Sequence, residues 1–287
     1  MKADDPIVLR EPSAKLLIIH ADDLGMCHSI NRAIFSAFEK NAISSASAMA
    51  PCPWFPEVVE MALNTDYDIG LHITLTSEWT SCKWRPILPS RSFVDEHGYF
   101  WPDGKPLRGT EPSASAEIAA QIKFARQAGL DVSHLDSHMF VVFQNIELFH
   151  AYSRIAREFD LPFLYLPRLL PEVNPAGDLP LFRAVVYAPR DLPASSWEDY
   201  YLNVIEDLAP GLTQLIVHPG FDEPELRALT GSNKAWDAAW RQRDYDVLLS
   251  KRFRNAIQEH EVHLVNYRVL RGSRTGTPRL RQLENEN

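Results

Sequence analysis

The stretch LLIIHADDLGMCHSIN, Leu16 to Asn31, carries an apolar run through His20 and Ala21 into two adjacent aspartates, Asp22 and Asp23, and then into Gly25. The apolar part has the length and composition of a buried strand. It ends in a pair that such a strand tolerates poorly, because two carboxylates repel each other and neither favours a low dielectric. The pair therefore needs either a helix to cap or a cation to hold.

Working outward, further short apolar runs at 45–50, 68–75, 134–138, 163–166, 214–217 and 263–266 join 16–20 as predicted strands. Helix-like segments fall between several of them, at 30–40, 55–64, 115–128, 146–159, 197–208 and 246–259. In 115–128, Ile118, Ile122 and Ala125 share one helical face, and Gly129 follows as a stop. Strands alternating with helices imply βα units and a mainly parallel sheet buried on both sides. Seven strands fit one α/β domain, a seven-stranded, closed or nearly closed (β/α) barrel of the TIM-barrel kind. A doubly wound open sheet is the alternative.

One domain is expected over residues 1–287, with its core at about 16–270. Residues 76–113 break the rhythm with Trp79, Trp84, Trp101 and several prolines, and read as a long functional loop. Residues 167–193 read as a proline-rich insertion, and 272–287 as a polar tail.

At 287 residues, 45% hydrophobic and 23% charged, the composition is that of an ordinary globular protein. The formal charge of -9 argues against a nucleic-acid partner or an anionic membrane surface, both of which call for a basic face. The first residues lack a signal-peptide pattern, and no apolar run approaches the length of a membrane span. Cys27, Cys52 and Cys82 form no CxxC and read as reduced thiols, so a cytoplasmic location is expected.

The chemistry gathers at predicted strand ends. The first strand ends in Asp22-Asp23, GLHITL supplies His72, HLDSHMF supplies His134, Asp136 and His138, and LIVHPG supplies His218. In parallel α/β folds these carboxyl ends converge on the ligand. One aspartate and two histidines make a divalent-metal set with open positions, leaving the second aspartate to take a proton. Each residue has a plainer reading. Asp22-Asp23 would serve as a helix cap, and His72 as a hydrogen-bonded core histidine. His134 reads as a strand-edge or supporting residue, and His218 as a turn residue. His20 and His28 have no separate support as ligands, and His97, His150, His260 and His263 read as structural. The joint occurrence at successive strand ends favours the metal site.

Taken in order, IIHADDLGMCHSIN, DIGLHITLTSEW, HLDSHMF and LIVHPG resemble the YdjC-like carbohydrate deacetylases, over roughly Leu16 to Tyr267. The resemblance implies a barrel-like fold, one divalent ion (Mg2+ or Zn2+), removal of acetyl from an N-acetylated saccharide, and a possible homodimer. Carried over by motif, Asp23, His72 and His138 match the metal ligands, Asp22 the general base and His218 the general acid. Asp136 would orient a ligating histidine, and Trp79, Trp84 and Trp101 would offer faces to sugar rings or simply pack on the barrel. His20 stands where the family often has Asn, and Phe140 where it often has His. From residue chemistry alone, another amidohydrolase, a phosphoesterase or a non-catalytic sugar-binding relative fits the same ligands, although no phosphate loop is present.

Overall fold

The computed structural model describes residues 13–104, 110–166, 169–170, 182–231 and 234–270. Its elements run β1 (Lys15–Leu24), α1 (His28–Glu39), β2 (Ser45–Ala48), α2 (Phe55–Ala62), β3 (Ile69–Ile73), α3 (Glu111–Ala128), β4 (Leu135–Ser137) and α4 (Ile146–Glu158). They continue β5 (Phe182–Tyr187), α5 (Trp197–Glu206), β6 (Gly211–Val217), α6 (Pro224–Thr230), α7 (Ala238–Leu249), α8 (Lys251–Glu259) and β7 (Val262–Leu264). No described helix is long and apolar enough to cross a membrane.

Every ladder is parallel, so all seven strand ends point the same way. The order is β4-β3-β2-β1-β6-β5, and β1 is the spine. One edge of β1 pairs with β6; the other pairs first with β7 over Lys15–Leu17 and then with β2 from His20 onward.

The sheet curls strongly. Strands β1 and β4 lie three places apart, which in a flat sheet is about 14 Å. Yet His20 Nε2 of β1 sits 2.9 Å from Asp136 Oδ2 of β4. The curl produces a layered interior. Outward residues such as Leu17, Ile19, Ala46, Leu71 and Leu215 pack with α1, α2 and α3 in the main core. At the N-terminal end of the strands, Ile18, Val265, Tyr267 and Val269 form a small separate apolar plug. Above the plug the interior is polar: His20, Ser45, Ser47, Asp68, His72, His134, Asp136 and Gln214 are all buried. Strand alternation explains this split, since residues i and i+2 face one side.

Several elements differ from those expected from the sequence. No ladder joins β4 to β5 among the described residues, and the sheet is a strongly curled parallel half-barrel. Residues 163–166 supply only a single bridge, Phe163 to Leu135, on the outer edge of β4. The fifth strand is instead Phe182–Tyr187, inside the segment read as a proline-rich insertion. The helix expected at 246–259 is two helices broken at Ser250, whose hydroxyl accepts the Phe253 N–H at 3.1 Å and caps α8. The 76–113 loop is packed: Val94 bridges Phe100, and Phe93, Phe100, Trp79 and Trp84 are buried. The polar tail lies outside the described residues.

His134 takes its plain reading. It is buried and stacks on Tyr267 at 3.7 Å, and burial holds its imidazole well below the ordinary histidine range. Gly70 permits this packing, since a Cβ there would lie 2.5 Å from the His134 ring. The ring is trapped between strand and tyrosine, so Gly70→Ala should destabilise the protein by about 1–3 kcal/mol through overpacking. A thermal melt that matches the native protein would show that the interior is looser than this.

Candidate metal and proton-transfer site

In a regular strand Asp22 and Asp23 would point to opposite faces. They do not, because β1 bulges at this point. Ala21 pairs with Ala46 and Leu24 with Ala48, so three steps on β1 oppose two on β2. Asp23 absorbs the extra residue in a left-handed conformation, φ 76°. Gly25 then turns the chain at φ +97°, its N–H donating to Asn31 Oδ1 at 2.7 Å. Both carboxylates consequently reach His72 Nε2, each at 3.6 Å.

The other residues arrive from the same end of the sheet. His72 comes from β3 and Asp136 from β4. His138 opens a tight helical turn, His138–Phe143, in which Met139 and Phe140 are also left-handed at φ 52°. Asp23 Oδ1 lies 3.4 Å from His138 Nδ1, and Glu78 Oε2 faces His138 Nε2 at 2.9 Å. His218, just beyond β6, brings its Nε2 to 3.8 Å from Asp22 Oδ2. All five sequence-predicted catalytic and ligand residues therefore meet in one place.

The oxygen of Asp23 and the ring nitrogens of His72 and His138 lie within 4.8 Å of one another. Tetrahedral bonds of about 2.1 Å would set ligand atoms about 3.4 Å apart, close to the 3.4 and 3.6 Å seen from Asp23 Oδ1. Asp136 Oδ1 takes His72 Nδ1 at 2.7 Å, which leaves Nε2 facing the acids. Such a carboxylate backing a ligating imidazole is the usual second layer of a metal centre. Two other groupings, His20-His134-Asp136 and Asp22-His72-Asp136, also satisfy proximity. Both depend on Asp136, whose oxygens are already engaged by His72, His20 and the Ser47 hydroxyl.

The two aspartates differ electrostatically. Burial would raise Asp23, but Arg241 Nη2 donates to its Oδ2 at 2.7 Å, and with His138 and His218 holds the carboxyl well below its usual range. Asp22 has no such cation. Burial, reinforced by Asp136 and Asp23 against His72 and His20, lifts it to about 7. Against burial, Glu78 and Asp23 push His138 up to about 10. Burial sends His218 down to about 3, with Arg241 and the neighbouring imidazoles adding to it against Asp23.

Several contributors were not singled out in the sequence. Arg241 and Asp244 sit three residues apart on α7, both buried. Asp244 accepts the His218 backbone N–H at 2.9 Å, Trp197 Nε1–H at 2.9 Å and Tyr201 O–H at 2.6 Å, fixing the His218 loop. Glu78 lies inside the quoted DIGLHITLTSEW, a signal within reach; Arg241 belongs to no motif. Trp84 is buried, its indole donating to Thr76 O at 2.7 Å and its ring 6.4 Å edge-on from His138. Trp79 packs against Trp84 at 5.9 Å. These two form a wall behind His138, whereas Met139 is exposed and Phe140 and Trp236 partly so at the rim.

Fold and site together define a parallel α/β protein with a His/Asp centre of metal-binding type at the carboxyl ends of its strands. A family model described as YdjC-like protein matches residues 16–259, and the chain belongs to that family. It is 30% identical over 270 residues to a carbohydrate deacetylase of Thermus thermophilus, covering 90% of this chain and 94% of that one. It is 26% identical over 264 residues to a carbohydrate deacetylase of Thermoanaerobacter pseudethanolicus, covering 90% and 100%. A solved Enterococcus faecalis structure, described in terms of cellobiose-phosphate cleavage, superposes with a TM-score of 0.77 at 26% identity, covering 90% of this chain and all of the other.

A histidine must be neutral to ligate, whereas His138 is held up at about 10 and so carries its proton at neutral pH. Zinc uptake should therefore expel at least one proton per ion, and apparent affinity should strengthen about tenfold per pH unit per proton below that value. Calorimetry in buffers of different ionisation enthalpy reads this directly. Uptake without proton release would remove His138 from the ligand set.

Proposed function

We propose that this protein is a metal-dependent hydrolase that removes the acetyl group from an N-acetylated sugar or oligosaccharide, releasing acetate and the free amine. The carrying observation is the division within the acidic pair: Asp23 is tied to Arg241 and faces two imidazoles, while Asp22 stays near neutrality beside them. The carbohydrate deacetylase relatives, matched over nine-tenths of the chain, support acetyl as the group removed.

Asp23, His72 and His138 would hold one divalent cation. Two imidazoles and one carboxylate suit zinc better than magnesium, which favours oxygen ligands. Bound there, the cation would polarise the acetyl carbonyl and acidify water. The remaining work falls to the chain. Asp136 and Glu78 orient the two ligating imidazoles, and Arg241 keeps Asp23 ionised. Asp22, poised near 7, accepts the proton of the attacking water through Oδ2. His218, with Nε2 3.8 Å from Asp22 Oδ2, is the group that protonates the departing amine, the proton being the one Asp22 takes from water. Trp79 and Trp84 act by packing behind His138, and the sugar contacts fall to the more open rim. One domain carries all of this, with the cytoplasm as its place of work and an acetylated saccharide as its partner.

Acetate release from a panel of N-acetylated saccharides, with zinc removed and restored, tests the reading. Release should depend on metal, and Asp22→Asn should lower kcat by about 10²- to 10⁴-fold while retaining zinc. Stoichiometric zinc with no acetate from any saccharide would refute the activity. Loss of zinc in Asp22→Asn would reverse the division of labour.

A further inference from the structure

One buried group near the acids is left without a task by this mechanism. His20 lies on β1 two residues before Asp22, on the same inward face, and is fully buried. A histidine that merely filled the interior would need only ordinary hydrogen-bond partners. His20 has a more particular set. Its Nδ1 meets Ser45 Oγ at 3.0 Å, which fixes the ring. Its Nε2 meets Ser47 Oγ at 3.1 Å, Asp136 Oδ2 at 2.9 Å and Asp22 Oδ1 at 3.4 Å.

The two carboxylates do not depend on this nitrogen equally. Asp136 already receives the Ser47 hydroxyl at 2.9 Å and His72 Nδ1 at 2.7 Å. Asp22 Oδ1 is buried and makes no hydrogen bond in the resting geometry. His20 Nε2 faces that orphan oxygen, while Asp22 Oδ2 faces His72 and His218 on the other side. An ionised carboxylate only accepts, so the hydrogen on Nε2 is the donor open to both acids.

We infer that His20 is a positioning residue for Asp22: its Nε2 faces the rear oxygen of the carboxylate at 3.4 Å, a polar contact that favours the orientation in which the front oxygen is aimed into the gap between His72 and His218. The inference rests on the proton-accepting role proposed for Asp22. Through Asp136, the same ring joins the mounting of the proton acceptor to that of the ligand His72. A shift in the strand would then move both together, preserving the distance between the water-activating carboxylate and the metal ligands. Misplacement of a reacting group by about 1 Å can cost about 10²-fold in rate.

The test compares zinc-loaded native protein with His20→Leu, which removes the donor at similar volume, and His20→Gln, whose amide nitrogen reaches the place of Nε2. His20→Leu should lower kcat for acetate release by about 10- to 100-fold, with KM and zinc content unchanged. His20→Gln should recover to within about fivefold of native. A His20→Leu variant with native kcat, or a Gln variant as impaired as the Leu variant, would overturn the inference. Where His20→Leu does not fold, nitrogen-15 NMR of the histidine rings decides. On the zinc-loaded protein, Asp22→Asn should shift the His20 ring signals, and unchanged signals would overturn the contact. The NMR needs no turnover, so a native protein that releases no acetate would sink the proposed activity while the His20–Asp22 contact is still judged on its own.

Discussion

The bulge at Ala21–Leu24 is the constraint on which the site depends. A regular β1 would place one aspartate in the interior and bury the other under the helices, where α1 and α2 pack. Inserting one residue, with Asp23 left-handed, turns both carboxylates into the same space. Backbone of this kind is held only by surroundings that over-determine it, at a cost of about 1–3 kcal/mol. Here β2 and β6 pin β1 on both edges, and the Gly25 turn anchors to Asn31. Other left-handed residues at the site, Met139, Phe140 and Trp236, sit at its rim, whereas Asn41, Asn64, Asp160 and Glu261 follow helix ends, where this conformation is ordinary.

Bringing two acids together creates repulsion that the fold resolves by unequal neighbours. Arg241 reaches from α7 to the outer oxygen of Asp23 and settles it as an anion. Asp22 receives only imidazoles at longer range, and burial dominates its chemistry. The curl of the sheet is what lets this happen. It brings β4 across to β1, so that Asp136 serves His20 and His72 at once. His72 is the register partner of Asp136 on the next strand, whereas His20 would be out of reach in a flat array.

Much of this was legible in the sequence, and the limits have physical causes. Strand ends carrying Asp22, Asp23, His72, His138 and His218 stand out because apolar runs precede them and ionisable residues are rare beside such runs. The parallel α/β class followed from the alternation of runs. Strand β5 was hidden although FRAVVY is largely apolar, because Arg183 interrupts the run and the prolines around it make 167–193 read as an insertion. Helix α7 was hidden for a related reason: its inner face carries Arg241 and Asp244 among apolar groups, interrupting the stripe that marks a helix. Trp79 and Trp84 show the converse, since a tryptophan in a loop gives no sign in sequence of whether its face is open or packed.

The central claim is that Asp23, and not Asp22, holds the cation with His72 and His138. Zinc-soaked crystals examined by anomalous scattering at the zinc edge test it most directly. One anomalous peak is expected, bonded to Asp23 Oδ1, His72 Nε2 and His138 Nδ1, with Asp22 outside bonding distance. A peak bonded to Asp22 and Asp136, or to His20 and His134, would contradict it.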